Sequence, residues 1–108
     1  MEREREEQLY RLQAELCQAL ADPTRLRLLS LLGARPQAVK DLVAATGERQ
    51  AKISQHLSTM RQRGIVRTER VGNEVHYSLT DTRILEACHL TREVLLQRLA
   101  QQASLVGA

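Results

Sequence analysis

Residues 39–77 constrain the fold of this 108-residue chain more than any other part of its sequence. Residues 38–46 and residues 49–62 both have helical periodicity, and a glycine, Gly47 or Gly64, follows each of these runs. Glycine ends a helix at little cost because it adopts the left-handed conformation without a steric penalty. The pattern therefore predicts two short helices that are joined by a tight turn.

The residues that follow Gly64 predict a β-hairpin. Residues 65–71 and 74–80 are rich in strand-forming side chains, and they flank Gly72 and Asn73, which favour turns. Helix, turn, helix and hairpin in this order are typical of a winged helix-turn-helix, which is a DNA-reading module. We therefore predict a mainly α-helical domain with a small β-hairpin wing.

Leucine spacing predicts two helices before this module. The first spans residues 5–21, and the interruption at Asp22 and Pro23 starts a second helix, which Gly33 ends after residue 32. The second helix is apolar nearly all round, so it is expected to be buried. The leucines concerned are Leu9, Leu12, Leu16 and Leu20 in the first helix, and Leu26, Leu28, Leu29, Leu31 and Leu32 in the second.

A last long helix is predicted from Asp81, which caps it, to about residue 102. A single domain of this size needs no long terminal helices for its own core. The spare apolar faces of the first and last helices are therefore interpreted as a homodimer interface, and residues 1–108 as one DNA-binding and dimerisation domain. The apolar stripe of the last helix consists of Ile84, Cys88, Thr91, Leu95 and Leu99.

The distribution of charge favours a nucleic-acid partner. The net charge is +3. Residues 48–77 contain six basic and three acidic residues, so the positive excess lies on the proposed DNA module. No apolar run is long enough to span a membrane, and the charged first residues differ from a signal peptide, so we expect a cytoplasmic protein with no membrane partner. Nucleophile elbows, phosphate loops and paired-acid motifs are missing from the sequence, and we expect no enzymatic activity.

The second helix of the module presents most of the candidate DNA contacts. Ile53, Leu57 and Met60 recur at helical spacing and are predicted to face the core, which leaves the polar faces to the major groove. Arginines of the wing are expected to bind the phosphate backbone. The alternative is a dimeric helical scaffold that does not bind DNA. The candidate contacts are Arg49, Gln50, Lys52, Ser54, Gln55, His56, Ser58, Thr59 and Arg61 on the helix, and Arg67 and Arg70 on the wing.

Three segments also carry a family resemblance. The sequences ALADPTRLRLL at residues 19–29, ISQHL at residues 53–57 and VHYSL at residues 75–79 resemble the ArsR/SmtB family of bacterial winged-helix repressors. The resemblance implies a homodimer that occupies a palindromic operator in double-stranded DNA. It also implies release from that operator when a metal ion, a metalloid, or a reactive sulfur or oxygen species binds or modifies the protein.

The chain departs from this family at three places. Where the family usually has an apolar residue and a Ser or Thr cap after the turn glycine, this chain has Glu48 and Arg49, so weaker helix capping is expected. The thiol positions of the family's third-helix metal motif are occupied by Ala38 and Lys40. Of the zinc ligands on the last helix only Asp81 remains, and we expect neither metal site nor any cofactor.

Cys17 and Cys88 remain as the candidate sensing residues. They lie on the two helices that we assign to the dimer interface, which permits a pairing within a protomer or across the dimer. Arg92, four residues after Cys88, favours a thiolate there, and burial opposes it. We expect oxidants or reactive sulfur species to link these thiols and release the DNA, with arsenite or another thiophilic metal ion as an alternative ligand. A further interpretation makes both cysteines small apolar packing residues.

Overall fold

The computed structural model describes the backbone of residues 1–107 and the side chains of residues 1–104, and it contains five α-helices and three β-strands. The helices form most of the chain and the last two strands form a hairpin, which confirms the mainly α-helical fold with a small wing. The elements are α1 (Glu2–Ala19), α2 (Pro23–Ala34), β1 (Gln37–Ala38), α3 (Val39–Thr46), α4 (Gln50–Gln62), β2 (Val66–Val71), β3 (Glu74–Leu79) and α5 (Arg83–Gly107).

Helix α2 does not end where the sequence predicts. The prediction that Gly33 ends it is wrong, because the helix continues to Ala34. It stops at Arg35, whose extended backbone is the conformation favoured before a proline. Gly33 lies instead where α5 approaches, and a Cβ atom at this position would collide with the side chain of Leu85. The missing side chain therefore allows α2 and α5 to pack closely.

Strand β1 is too short to leave a pattern in the sequence. It pairs antiparallel with β3 through Gln37 and Tyr77 and through Ala38 and His76, which gives the sheet order β1-β3-β2. The buried side chain of Gln37 donates a hydrogen bond from Nε2 to the backbone oxygen of Leu31 over 2.7 Å. This bond satisfies a carbonyl group in the last turns of α2. Strand β1 thereby fastens the wing to the end of α2.

The core is aliphatic and is built around α2. Its buried side chains come mainly from α2, α4 and the sheet, with Ala19 from α1, Leu42 from α3 and Ile65 from the loop before β2. The three residues of α4 predicted to face inward are completely buried. The prediction that α2 is buried all round is wrong for Leu26, which is 43% exposed because it borders an open groove towards α5. The larger core residues are Leu28, Leu29, Leu32, Leu42, Ile53, Leu57, Met60, Ile65, Val66 and Leu79.

The terminal helices project beyond this core. Helix α1 spans Glu2–Ala19 rather than residues 5–21, and α5 continues to Gly107 rather than ending near residue 102. The radius of gyration is 17.0 Å, whereas a compact chain of this length has about 13 Å. Only the last turns of α1, from Leu16 onward, pack against the core. Within the described residues, no helix combines the length and the apolar character that crossing a membrane requires.

Asp22 caps the first turn of α2. Its Oδ2 atom accepts a hydrogen bond from the backbone N–H of Arg25 over 3.1 Å. This hydrogen bond is the main reason why the pKa of Asp22 lies below its usual value, and the nearby His56 contributes in the same direction. The cap therefore joins the start of α2 to a side chain of α4.

We expect Asp22→Ala to lower the free energy of unfolding by about 1 kcal/mol, as for other lost helix caps. Asp22→Asn keeps an oxygen acceptor and should lose less at pH 7. Because folding lowers this pKa, the carboxylate stabilises the fold above the unfolded-state pKa, and the effect disappears as the pH falls through the folded-state pKa. Urea unfolding of the three proteins at pH 7 and in acid measures both effects, and an Asp22→Ala variant as stable as wild type contradicts the cap.

Candidate nucleic-acid interface and thiol pair

The turn between α3 and α4 orients α4, which we call the recognition helix. Gly47 ends α3 in the left-handed conformation, as predicted, with φ of 72°. Thr46 donates its hydroxyl to the carbonyl of Leu42 over 2.7 Å and accepts the backbone N–H of Glu48 over 3.2 Å. Arg49 occupies the cap position of α4 and makes no side-chain capping hydrogen bond, which confirms the expected weak cap. The Arg49 side chain therefore remains exposed at the start of the helix.

The recognition helix is amphipathic. One side is buried in the core, and most of the predicted DNA contacts lie on its exposed surface. Lys52 forms an ion pair with Glu48 over 3.1 Å, which places one acidic group beside this surface. The exposed candidates on the helix and at its cap are Arg49, Gln50, Lys52, Ser54, Gln55, Ser58 and Arg61.

His56 and Thr59 differ from the other candidates because they are partly buried. The Nε2 atom of His56 lies 3.8 Å from Oδ2 of Asp22, and its side chain is only 16% exposed. The hydroxyl of Thr59 donates to the carbonyl of Gln55 over 3.3 Å. Both side chains therefore lie against other groups of the protein: His56 against the carboxylate of Asp22, and Thr59 against the carbonyl of Gln55.

Arg67 and Arg70 are exposed on the outer strand of the wing. Strand β2 pairs only with β3, with Arg67 opposite Ser78 and Arg70 opposite Val75. Side chains alternate along a strand, so residues three apart lie on opposite faces of the hairpin. Neither arginine forms an ion pair with a carboxylate among the described side chains. Both positive charges are thus available to an external anion.

Cys17 and Cys88 interact electrostatically within one protomer. Cys17 on α1 is exposed, and Cys88 on α5 is partly buried against the core. Burial raises the pKa of Cys88, and a negative charge on Cys17 raises it further. The help that Arg92 was expected to give to a Cys88 thiolate is not among the causes of this shift, and burial sets its direction.

A groove between α2 and α5 gives access to Cys88. Its volume is about 250 Å³, and its walls are mainly the apolar side chains of Leu26, Leu29, Leu85 and Leu95. For comparison, an apolar cavity of about 150 Å³ can bind benzene. The groove of the single chain is therefore large enough for a small molecule beside the thiol.

The thiols do not belong to a larger set of metal ligands in the described part of the chain. No three His, Cys, Asp or Glu side chains of that part lie together as ligands. Cys17 and Cys88 supply two thiolates, so a three-coordinate thiolate site requires a ligand from another molecule.

Comparison with known proteins identifies the family. The family model described as bacterial regulatory protein, arsR family, matches residues 22–68. The HTH-type transcriptional regulator Rv0081 of Mycobacterium tuberculosis is 35% identical over 101 residues, which cover 93% of this chain and 89% of that protein. The chain belongs to the ArsR family. The crystal structure of Rv0081 matches this ArsR-family protein with a TM-score of 0.78 and covers 88% of this chain and 96% of that one.

Two further structures share the fold. The homodimeric winged helix-turn-helix DNA-binding domain Mb0332 of Mycobacterium bovis is 27% identical, with a TM-score of 0.80 and coverage of 90% of both chains. The transcriptional repressor BigR of Xylella fastidiosa is 30% identical, with a TM-score of 0.74 and coverage of 87% of this chain and 96% of that one. This ArsR-family protein is thus a DNA-binding transcriptional regulator and not an enzyme, and the alternative of a scaffold without DNA binding is wrong.

Sequence reasoning missed the groove and the contact between His56 and Asp22. The surplus of leucines on α2 offered a signal for the groove, because a helix that is apolar all round has more faces than a small core can cover. The position of His56 offered none, because its partner belongs to another helix.

We expect iodoacetamide to alkylate Cys17 faster than Cys88 at pH 7. Cys17 is exposed. Burial of Cys88 limits access to its thiol, and it also raises the pKa, which lowers the reactive thiolate fraction. Trypsin releases residues 12–25 and residues 84–92 as separate peptides, so mass spectrometry of a time course measures both rates. Alkylation in urea is the control, in which the two rates should converge. Faster reaction at Cys88 in the folded protein contradicts this assignment.

Proposed function

We propose that this regulator is a homodimeric repressor whose hold on operator DNA is controlled by the redox state of Cys17 and Cys88. The observation that carries the proposal is that two free thiols lie on α1 and α5, the two helices that leave apolar surface uncovered, and that they interact electrostatically within one protomer. Chemistry at the thiols then acts directly on the elements that hold the dimer together.

Uncovered apolar side chains on α1 and α5 support the homodimer. Leu9 on α1 and Leu95 and Leu99 on α5 are each more than half exposed. Leu90 is 63% exposed, and it lies about 200° from Cys88 around the axis of α5, so this helix also has an apolar face directed away from its own core. A second copy of the chain can cover these surfaces. The similarity to the homodimeric Mb0332 domain supports the same assembly.

The exposed polar side chains of the recognition helix are proposed to read the DNA. A major groove admits an α-helix, and glutamine, serine and lysine side chains reach base edges and phosphates there. Arg67 and Arg70 are proposed to bind phosphates from the wing, because both are exposed and neither forms an ion pair with an acidic residue among the described side chains. The contact of His56 with Asp22 removes it from this proposal, and we assign it to packing between α4 and α2.

A two-electron step through the thiols balances with a peroxide as the oxidant. The exposed Cys17 thiolate attacks hydrogen peroxide, the O–O bond breaks, and a sulfenic acid forms with release of hydroxide. The Cys88 thiol then attacks the sulfenic sulfur and gives a disulfide. Its proton leaves with the displaced hydroxide as water.

A persulfide can oxidise the same pair without oxygen. The Cys17 thiolate takes the outer sulfur of a persulfide RSSH and releases RS⁻. Cys88, as a thiolate, then displaces hydrosulfide from the Cys17 persulfide and forms the same disulfide. A direct disulfide requires Cα atoms within about 7 Å, whereas a bridge that retains extra sulfur atoms spans a longer distance.

Either bridge connects α1 to α5 and thereby changes the helices of the proposed dimer interface. A dimer binds two half-sites only while its recognition helices match successive major grooves, about 34 Å apart. Oxidation therefore favours a geometry with lower operator affinity, which is the coupling that the proposal requires. Arsenite is the less favoured inducer, because the protomer supplies only two thiolates.

We expect Gln55→Ala to reduce the preference for operator over random DNA, because base contacts discriminate by about 1–3 kcal/mol. Arg70→Ala should weaken both complexes together and lower the salt dependence of binding by about one released ion. Fluorescence anisotropy with a duplex selected from a random library, over a series of salt concentrations, measures these effects. Binding that does not change with salt, or the reverse pattern in the two variants, contradicts the proposed placement of the helix and wing.

We expect peroxide or an organic persulfide to release the wild-type dimer from this duplex, and dithiothreitol to restore binding. Cys17→Ser and Cys88→Ser should bind DNA normally when reduced but should not respond, because neither can form the bridge. Intact mass spectrometry identifies the bridge, and sedimentation velocity checks that the compared proteins are dimers. If both variants are released like the wild type, the cysteines only pack and the thiol proposal is wrong.

A further inference from the structure

The wing is attached to the rest of the molecule mainly at its base. Strand β2 pairs with β3 and also contacts α4, and β3 pairs on its other side with the two residues of β1. This pairing ends at Ala38 and His76. The tip of the wing, at the turn formed by Gly72 and Asn73, lies beyond the last strand partner.

One ion pair continues this attachment towards the tip. Two residues beyond the last pair of the β1–β3 ladder, in the same antiparallel register, are Lys40 and Glu74. The chain has already entered α3 at Lys40, and its Nζ atom lies 2.7 Å from Oε2 of Glu74. The ion pair therefore continues the line of the ladder beyond its last backbone pair and joins Glu74, beside the wing tip, to α3.

Each member of this pair shifts the pKa of the other. The hydrogen bond between them raises the pKa of Lys40 and lowers the pKa of Glu74. His76 lies on the other side, with Nε2 at 3.7 Å from Oε1 of Glu74. The side chains of Lys40 and Glu74 are 71% and 41% exposed, and exposed pairs add little to folding stability. What the pair does add is a direct connection between α3 and the wing, two elements that approach each other at this point.

We propose that Lys40 and Glu74 are positioning residues for DNA binding, which hold the wing tip against α3 so that Arg67 and Arg70 meet the backbone while the recognition helix occupies the groove. Because α3 and β3 are tied at both the base and the tip, the helix-turn-helix and the wing present their contacts as one unit. The inference rests on the proposed wing contacts.

Glu74→Gln tests this proposal through the sign of its effect. Charge alone predicts that removing an acidic group beside a DNA-binding surface strengthens binding. Loss of the tether predicts the opposite, and we expect the affinity of the reduced dimer for the selected duplex to fall by about twofold or more, a typical coupling between residues in contact. The double variant Lys40→Glu/Glu74→Lys reverses the pair and should recover most of this loss, although each single reversal weakens binding.

Glu69→Gln is the matched control, because Glu69 is an exposed acid on the same wing that forms no ion pair among the described side chains. It should bind as tightly as wild type or more tightly. Thermal unfolding checks that all variants fold. Weaker binding by Glu74→Gln together with recovery in the double variant supports the tether. A Glu74→Gln variant that binds as tightly as Glu69→Gln, or a double variant without recovery, overturns it. Arg70→Ala, measured alongside, reports separately on the wing contact itself.

Discussion

Burial of the leucine face of α2 is the constraint on which the rest of the structure depends. Three leucines of α2 are at most 3% exposed, and α3, α4, β3 and α5 all pack on this helix. The chain has only two aromatic residues, so close packing of small aliphatic side chains must supply the core. The start of α2 meets His56 through Asp22, and its end holds β1 through Gln37. One helix thus sets the positions of the recognition helix, the wing and α5 together.

The elements that could be predicted are those whose signal is local. Gly47 and Gly64 both take the left-handed conformation, so periodicity with a terminal glycine is sufficient for α3 and α4. The same rule fails at Gly33, where glycine accommodates the crossing of α5, because a local pattern does not say which helix will approach. Strand β1 escapes prediction for a related reason, since its pairing depends on residues far along the chain.

In the candidate site, too, local features could be predicted from the sequence and contacts between distant elements could not. The amphipathic pattern of α4 separates Ile53 and its buried neighbours from the exposed polar face, but it cannot show that His56 is engaged by Asp22. The two cysteines could be selected from composition and from the loss of the family's metal ligands. Their electrostatic interaction within one protomer could not, because it depends on where the fold places α1 and α5.

The outer edge of β2 has a consequence for solubility. This strand has a hydrogen-bonded neighbour on one side only, so its other edge carries backbone groups that a strand from a second molecule could pair with. Arg67, Glu69 and Arg70 are exposed along this strand, and charged side chains on an edge strand oppose such pairing. The exposed charges of this strand therefore disfavour edge-to-edge aggregation of the protein, an effect that does not depend on DNA.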